Sequence, residues 1–392
     1  MKIIVFLFVC FPSLVGYGQT NEQLIKSRIE NYEDRIGVED VYNKRTLNLL
    51  FNKKLDSYVK SVEVPSIKSL SAVLDNDDNS FSFGYAFDPR NGEAADYLKY
   101  LTYAGLRMKG KKGDSFYTIF ESDKAKNNIG AEIKITWFYP GTISSKKDKS
   151  HKNEIAHNRN SKIMYKAIEE FKHRKDLDSI TIDNFITKEE TDYILKENKY
   201  NSFSKFWVTI RAYYPLTKNE YNLIDNPTNF NKTTQKFENW DVGLSLNFFK
   251  HFSNNGSFTL SVIPRIYNNN NILIETISSK SFSSFGATTT GHPIETNTVD
   301  FFVGEFEQFL TRQLKAEFTS FFLFEGNVGL SAAIEKNYGN KYDAINWKLG
   351  VPITLKNSKG ESDINFEIQW REVHTKHSIG VSVGKTFGKF VK

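Results

Sequence analysis

One short segment places a histidine and a serine at a spacing that could support hydrolytic chemistry. The segment reads His251-Phe252-Ser253-Asn254-Asn255-Gly256. Residues two apart on a β-strand point to the same face, and a histidine beside a serine can act as the base that activates the hydroxyl. The same letters also predict a hairpin turn, because Asn-Asn-Gly is common in turns. We favour the turn and keep His251 and Ser253 as the alternative, catalytic interpretation.

A second group of candidates consists of charged side chains that alternate with apolar residues. If they lined an open channel, they would set its ion preference. In a closed interior they would form a buried network of ion pairs, and about twelve strands leave little free diameter inside a barrel. Both interpretations stay open for ten positions: Glu132, Lys134, Arg211, Arg265, Lys315, Glu317, Glu335, Lys348, Glu367 and Arg371.

Other site chemistries have little support in the sequence. The remaining histidines lack the spacing of metal ligands, and no phosphate loop or nucleotide fingerprint is present. Cys10 is the only cysteine and lies in a leader-like segment, so the mature chain would have no disulfide and no cysteine nucleophile. The net charge of +6 is spread along the chain and does not indicate nucleic acid. We expect no cofactor and no metal.

The elements that position these residues show a period of two from Ser80 onward. The alternation begins at 80–87 and recurs at 129–137, 206–211, 242–248 and 345–355. Segments near the end of the chain are about 10 residues long, enough for a strand to cross a tilted bilayer span. Soluble strands usually run about 5 or 6 residues. Strand length, repetition along the chain, and large apolar residues opposite small or charged ones favour a membrane barrel over a soluble β-sandwich.

Bacterial single-chain barrels have an even number of strands. Thirteen segments can be counted, so either twelve or fourteen strands are expected. Trp137, Tyr139, Tyr213, Tyr214, Trp240 and Trp370 fit aromatic girdles at the membrane interfaces. The segments begin near residues 80, 97, 115, 128, 204, 239, 257, 299, 313, 327, 343, 362 and 377.

The beginning of the chain has the layout of a secretory signal peptide. Lys2 is followed by an apolar run at 3–15, and Gly16 and Gly18 stand at −3 and −1 of a cut before Gln19. The run is too short to cross a bilayer comfortably. A mean hydropathy of −0.47 combined with 33 Phe and 19 Tyr suits a barrel with an aromatic lipid-facing surface and a wet interior.

Two regions have a helical period instead. Apolar residues at helical spacing occur in 19–78, which we expect to be a periplasmic or plug-forming segment ahead of the barrel. The long connection 141–202 contains a predicted helix from Ile155 to Arg174. Because long loops in membrane barrels usually face outward, we expect this loop to be extracellular.

These features together resemble the outer-membrane β-barrel class of Gram-negative bacteria. The resemblance covers about Ser80 to Phe390 and includes a final strand, His377 to Phe390, of the kind that the barrel-assembly machinery reads in that class. It implies outer-membrane lipid, lipopolysaccharide and that machinery as partners. The segment at His251 is similar to the His-x-Ser-Asn-Gly segment of outer-membrane phospholipase A, a twelve-stranded barrel, except that Asn255 intrudes before Gly256.

The sequence thus predicts an all-β fold: a transmembrane antiparallel β-barrel of about 12–14 strands, with an N-terminal helical segment and a long helical loop. The expected division is a signal peptide at 1–18, the helical segment at 19–78, and the barrel at 79–392. After cleavage the chain would reside in the outer membrane as a porin-like or ligand-specific channel, or as a surface-binding barrel. The alternatives are an outer-membrane lipid hydrolase and a secreted soluble β protein.

Overall fold

The structure, a computed structural model, divides the chain into two compact units. One, the helical unit, comprises 1–43 and 148–193, and the other, the barrel unit, comprises 44–147 and 194–392. The predicted signal peptide at 1–18 lies outside the described residues. Those residues are 20–30, 32, 42, 44–61, 63–76, 79–89, 98–109, 120–121, 124–125, 128–144, 149–226, 229–287, 293–358, 360–373 and 376–391.

Helices occur in both units. Among the described residues, no helix combines the length and apolar character needed to cross a membrane. A 3₁₀ turn at Asp56–Tyr58 follows α2, and a π-helical turn at Arg159–Ile163 joins α3 to α4. The bounds are α1 Asn21–Glu30, α2 Lys44–Leu55, α3 Lys149–Asn158, α4 Met164–Phe171 and α5 Ser179–Lys196.

The strands make up most of the barrel unit. Their bounds are β1 Lys68–Asp75, β2 Ser80–Phe87, β3 Tyr100–Lys109, β4 Phe120–Glu121, β5 Lys124–Ala125, β6 Asn128–Phe138, β7 Thr142–Ser144, β8 Ser202–Pro215, β9 Asn219–Asn226, β10 Asn229–Phe237, β11 Asp241–Phe252, β12 Ser257–Asn270, β13 Ser279–Ala287, β14 Pro293–Val303, β15 Gln308–Leu323, β16 Val328–Tyr338, β17 Ala344–Lys356, β18 Ser362–Val373 and β19 Lys376–Phe390.

Twelve of these strands close into an antiparallel barrel. The order around the wall is β1-β2-β3-β6-β8-β11-β12-β15-β16-β17-β18-β19, and β19 pairs with β1 to complete the circle. Closure removes the unpaired strand edges that a membrane would penalise. The fold-class prediction is therefore confirmed, with twelve strands.

Because the number of strands is even, the start of the first strand and the end of the last strand lie at the same rim. Lys68 begins β1 and Phe390 ends β19 there, and we call this end the plug rim. The opposite end is the sheet rim, because a four-stranded sheet in the order β10-β9-β14-β13 emerges there between barrel strands. Tyr221, Leu223, Phe237 and Ile272 form a separate small apolar core within that sheet region.

The period of two in the sequence separates an outer from an inner face, because successive side chains of a strand point to opposite sides. Large apolar side chains such as Phe83, Leu106 and Ile133 are 47, 50 and 52% exposed. Their neighbours Arg107 and Glu132 are 0% exposed. An apolar outside around a charged inside is the reverse of a soluble protein and fits a barrel whose outer surface contacts lipid.

The helical unit has its own core. Ile25 and Ile29 of α1 pack with Phe171 of α4 and Ile186 of α5. Asp178 caps α5, since its Oδ1 accepts the backbone N–H of Thr181 at 2.6 Å. A buried two-pronged ion pair also fixes the unit, with both Arg159 N···Glu190 O distances at 3.0 Å.

Three strand predictions differ from the structure. The first barrel strand, β1, lies inside the segment 19–78 that was predicted to be helical, because its leucines favour helices as readily as strands. The segment near 115 lies partly outside the described residues, and its described part pairs only as the short hairpin of β4 and β5. The segment near 299 belongs to β14, outside the barrel wall.

Candidate functional site: a filled barrel lumen

The plug-rim half of the lumen is filled by the segment 44–67, which we call the plug. Phe51 of α2 lies edge-to-face against Phe138, Trp207 and Phe249, with ring centroids 5.8, 5.7 and 5.4 Å apart. These strand residues are inward-facing and at most 2% exposed. Aromatic side chains would be poorly placed in a water-filled channel, so the inner wall is suited to receive the plug.

Tyr58 extends this packing toward the other side of the barrel. Its ring centroid lies 5.7 Å from that of Phe249 and 4.8 Å from that of Phe321. Its hydroxyl donates a hydrogen bond to Ser257 Oγ at 2.8 Å. Because a buried tyrosine hydroxyl needs a partner, this bond fixes the depth at which the plug sits.

Ion pairs and hydrogen bonds anchor the plug to β1, β18 and β19. Lys68 Nζ lies 2.8 Å from Asp56 Oδ2, and Thr386 Oγ1 donates to Asp56 Oδ1 at 2.7 Å. Burial raises the pKa of the Asp56 carboxyl, and the Lys68 ammonium opposes that rise. Lys60 pairs with Glu367 at 2.9 Å.

A further anchor joins the plug to the charged half of the lumen. Glu63 Oε1 lies 2.5 Å from Arg211 NH1. Asn365 Nδ2 also donates to the backbone carbonyls of Asp56 and Val59, at 2.8 and 3.3 Å. The plug is therefore held by specific contacts as well as by apolar packing.

The sheet-rim half of the lumen is charged, and Asp241 is the centre of its largest cluster. This carboxylate is 0% exposed and faces three cations. Its oxygens lie 2.5 Å from Lys109 Nζ, 3.3 Å from Arg211 NH2 and 3.0 Å from Arg265 NH2. Next to it, Arg107 and Lys134 pair with Glu132 at 3.2 and 3.5 Å. A buried carboxylate needs such compensation, because transfer from water strongly disfavours a lone charge.

A second charged cluster lies on the opposite part of the wall. The Glu317 carboxylate forms ion pairs with Lys315 Nζ at 3.0 Å and with Lys348 Nζ at 3.2 Å. Lys348 also approaches Glu367 at 3.6 Å, and Ser331 Oγ donates to Glu367. This cluster therefore shares Glu367 with the Lys60 anchor of the plug.

A small cleft with a volume of about 50 Å³ lies beside the second cluster, toward the sheet rim. Lys315, Glu335, Lys348 and Arg371 contribute to its lining. Over the mouth at this rim, Glu275 in the connection after β12 pairs with Lys376 of β19 at 2.5 Å. Four strands separate β12 from β19 in the wall, so this connection reaches across part of the mouth.

All ten charged positions singled out in the sequence lie on the inner face of the barrel. Eight belong to the clusters around Asp241, Glu132, Glu317 and Glu367. Of the other two, Glu335 accepts the side-chain amides of Asn337 and Asn346 at 2.9 and 2.8 Å. Arg371 donates to the backbone carbonyl of Asn76 at 2.5 Å. The geometry matches the closed-network alternative more closely than an open ring of charges.

Sequence reasoning missed several partners of these residues. Arg107 stands between Leu106 and Met108, and Asp241 precedes Val242, so the alternation itself places both on the inner face. No comparable signal marks Lys60 and Glu63, because they belong to no strand. Only the packed structure brings those two to their partners across the lumen.

The structure does not bring His251 and Ser253 into a dyad. His251 is 1% exposed, and its Nε2 shares a hydrogen bond with Tyr200 Oη at 2.9 Å. Ser253 lies in the turn between β11 and β12, where its N–H donates to the carbonyl of Asn201 at 2.9 Å. In the described part of the chain, no hydrogen bond joins the two side chains, and no group of three or more His, Cys, Asp or Glu is arranged to hold a metal.

Aromatic side chains lie on the outer face near both rims. Trp347 and Trp370 pack edge-to-face with centroids 5.1 Å apart near the sheet rim, and Trp347 Nε1 donates to Glu372 at 2.8 Å. Tyr139 and Phe206 pack at 5.3 Å near the plug rim. Such girdles mark the interfaces of a bilayer. Tyr213 is an exception among the predicted girdle residues, because it points inward and is only 2% exposed.

A closed antiparallel barrel with an apolar belt, aromatic girdles and a charged interior defines the class of the protein. The chain is an outer-membrane β-barrel with a filled lumen. A scan against protein-family models and a search of curated proteins both give no match.

Among solved structures, the chain is similar to the crystal structure of the β domain of the Bordetella autotransporter Brka. The identity is 10% and the TM-score is 0.28, over 79% of this chain and 89% of that chain. At this low level of similarity the match supports no inference about function.

Proposed function

We propose that this outer-membrane barrel works by binding at its surface, with a lumen that is closed to solutes in the resting state. The observation that carries the proposal is the plug, whose Phe51 and Tyr58 occupy an aromatic socket in the inner wall. Paired charges line the rest of the lumen, toward the sheet rim. A diffusion channel would instead need a continuous aqueous path.

The four-stranded sheet supports the binding part of this proposal. It projects at the sheet rim, and its own apolar core makes it a preorganised platform rather than a loose loop. On this proposal the sheet rim faces outward, and the sheet contacts a partner or the lipopolysaccharide surface there.

The orientation of the barrel is a second part of the proposal. The connection 139–201 leaves β6 at Phe138 and returns to β8 at Ser202, on the same rim as Lys68 and Phe390. Three other connections at that rim, 253–256, 324–327 and 357–361, are short, whereas the sheet rim has the long connections 216–240 and 271–307. In membrane barrels the short turns are periplasmic and the long loops face outward. We therefore assign the plug rim, and with it the helical loop 141–202, to the periplasmic side after cleavage of the signal peptide. This revises the extracellular placement expected from loop length alone.

Conductance in planar lipid bilayers tests the closed lumen. The intact protein is expected to show no stable channel steps, whereas replacing 44–60 by a Gly-Ser linker of equal length should produce steps. The matched control replaces 253–256, a turn at the same rim, with a Gly-Ser linker and should stay silent. Porin-like steps from the intact protein would contradict the proposal.

A protease test addresses orientation independently of conductance. A tobacco etch virus protease site inserted at 176, between α4 and α5, should resist protease added to intact cells and be cut after the outer membrane is permeabilised. A site at 340, in the turn between β16 and β17, should be cut in intact cells. The reverse pattern would place the helical loop outside.

A further inference from the structure

One buried lysine beneath the plug has no carboxylate partner among the described residues. Lys205 lies on the inner face of β8 and is 4% exposed. Its Nζ donates a hydrogen bond to Asn48 Oδ1 of α2 at 2.9 Å, and no ion pair accompanies that bond in the part of the chain that the structure describes. Each of the other six buried lysines there lies within 3.5 Å of a carboxylate oxygen: Lys60, Lys68, Lys109, Lys134, Lys315 and Lys348. Lys205 is therefore the exception among them.

Aromatic rings of the plug and of the wall cover the Lys205 ammonium. Its Nζ lies 4.5 Å from the ring centroid of Phe51 and 5.0 Å from that of Phe138. A ring face attracts a cation, but an ammonium has three N–H groups and Asn48 accepts only one of them. Docking of the plug thus removes water from a charge without supplying the acceptors that the charge had in water.

The plug itself buries this charge, because Asn48 and Phe51 both belong to α2. When α2 leaves the lumen, the ammonium regains contact with water in the plug-rim half. Buried charges are normally paired, since transfer from water strongly disfavours a lone ion. Loss of the proton does not avoid this cost, because a lysine amine is protonated in water at neutral pH. In either form, Lys205 favours the undocked plug.

A second polar group beneath the plug also lacks a partner among the described residues. Trp207 Nε1 can only donate a hydrogen bond, and it is buried there without an acceptor. The Trp207 ring contacts Phe51 of the plug, with centroids 5.7 Å apart. A buried donor without an acceptor destabilises the state that buries it. Docking of α2 therefore gains aromatic packing but leaves two donors of β8 incompletely satisfied.

We propose that Lys205 makes docking of the plug reversible, so that the closed lumen is a resting state from which the plug can be released. Packing of Phe51 and Tyr58 holds the plug in place, and the desolvated Lys205 opposes that packing. The inference rests on the proposed closed lumen, because it concerns release of the segment that closes it.

Amide hydrogen exchange in α2, measured on the intact protein in phosphatidylcholine nanodiscs, tests the proposal. Lys205→Met keeps an unbranched side chain and removes the charge. Asn48 is partly exposed, so its Oδ1 can accept a hydrogen bond from water after the change. We expect exchange in α2 to slow by about 10-fold or more, because an apolar side chain replaces an unpaired buried charge. Unchanged or faster exchange would show that Lys205 does not oppose docking, and the proposal would fail.

Lys68→Met is the matched control. Lys68 is also a buried lysine of a wall strand that contacts the plug, and its Nζ also lies over a ring, that of Phe390 at 5.4 Å. It differs from Lys205 in having a carboxylate partner, Asp56. Its replacement leaves Asp56 buried without its cation, so exchange in 44–58 should become faster by about 10-fold or more. Slower exchange in both variants would contradict the proposal, because the missing carboxylate at Lys205 would then not be the cause.

Asn48→Asp supplies the missing carboxylate. In the parent it should slow exchange in α2 by about 10-fold or more, because the new carboxylate pairs with Lys205. A carboxylate near the start of a helix also stabilises the helix itself, so the same change is made in the Lys205→Met variant. There the additional slowing should be absent. Equal slowing in both backgrounds would show that no ion pair with Lys205 forms, and would overturn the proposal.

Unboiled gel mobility monitors folding of every variant. The readout is exchange in α2 and not conductance, so the two proposals can fail separately. Channel steps from the intact protein would contradict the closed lumen, whereas unchanged exchange in Lys205→Met would contradict only the reversible docking of the plug.

Discussion

The two halves of the lumen are filled in different ways. At the plug rim, Phe51 and Tyr58 pack into inward-facing rings such as Trp207 and Phe321. At the sheet rim, residues of the wall itself pair with one another around Asp241 and Glu317. The first filling comes from a segment outside the strands, and the second is built into them.

The two halves of the lumen are therefore stabilised in different ways. Apolar packing in the plug half depends on docking of a local segment, so it can be lost while the wall stays closed. The ion pairs around Asp241 connect β3, β8, β11 and β12, so losing their central carboxylate affects the wall directly. The plug half is thus the replaceable part of the lumen, and the charged half belongs to the barrel.

The largest expected effect is at Asp241. Asp241→Asn leaves three cations without their shared carboxylate, which should destabilise the barrel by about 3–5 kcal/mol. The free energy of urea-induced unfolding in detergent micelles measures the change. The control is Asp363→Asn, whose exposed partner Lys385 lies 3.2 Å away, with an expected cost of about 0–1 kcal/mol. Equal costs for the two variants would show that the Asp241 cluster does not hold the wall.

A smaller effect, confined to the plug, is expected at Phe51. Phe51→Ala removes three edge-to-face contacts and should weaken plug docking by about 3 kcal/mol. Amide hydrogen exchange should then speed up in α2 far more than in the strands. Phe87→Ala, which removes an outward ring that is 37% exposed, serves as the control and should leave α2 protected. If the strands lose as much protection as α2, the plug and the wall unfold together and the comparison fails.

The smallest effect is expected at the hydroxyl of Tyr58. Tyr58→Phe removes one buried hydrogen bond and should cost about 1 kcal/mol in plug docking. Ser257→Ala should cost more, about 1–3 kcal/mol, because it leaves the tyrosine hydroxyl buried without its partner. Hydrogen exchange of α2 in both variants checks this order. The opposite order would indicate that the hydroxyl reaches water.

The sequence predicted the strands of the barrel wall better than the residues that fill the lumen. Alternation placed all ten charged candidates on the inner face, because a β-strand directs neighbouring side chains to opposite sides whatever its partners are. It did not identify β1, whose bulge between Lys68 and Leu70 interrupts the period. At His251 the sequence favoured a hairpin turn over a catalytic dyad, and the structure places Ser253 in that turn, away from the His251 side chain.

By itself the sequence determined a membrane barrel, predicted at 12–14 strands, and the charged character of its interior, since each follows from a period of two. The signal peptide at 1–18 stays a prediction from local composition. The tertiary structure decided that α2 fills the lumen, that Lys60 meets Glu367, and that β6 ends and β8 begins at the rim where β1 begins and β19 ends. It also decided that β1 pairs with only part of β19. These features depend on strand order, register and closure, which bring together residues hundreds of positions apart.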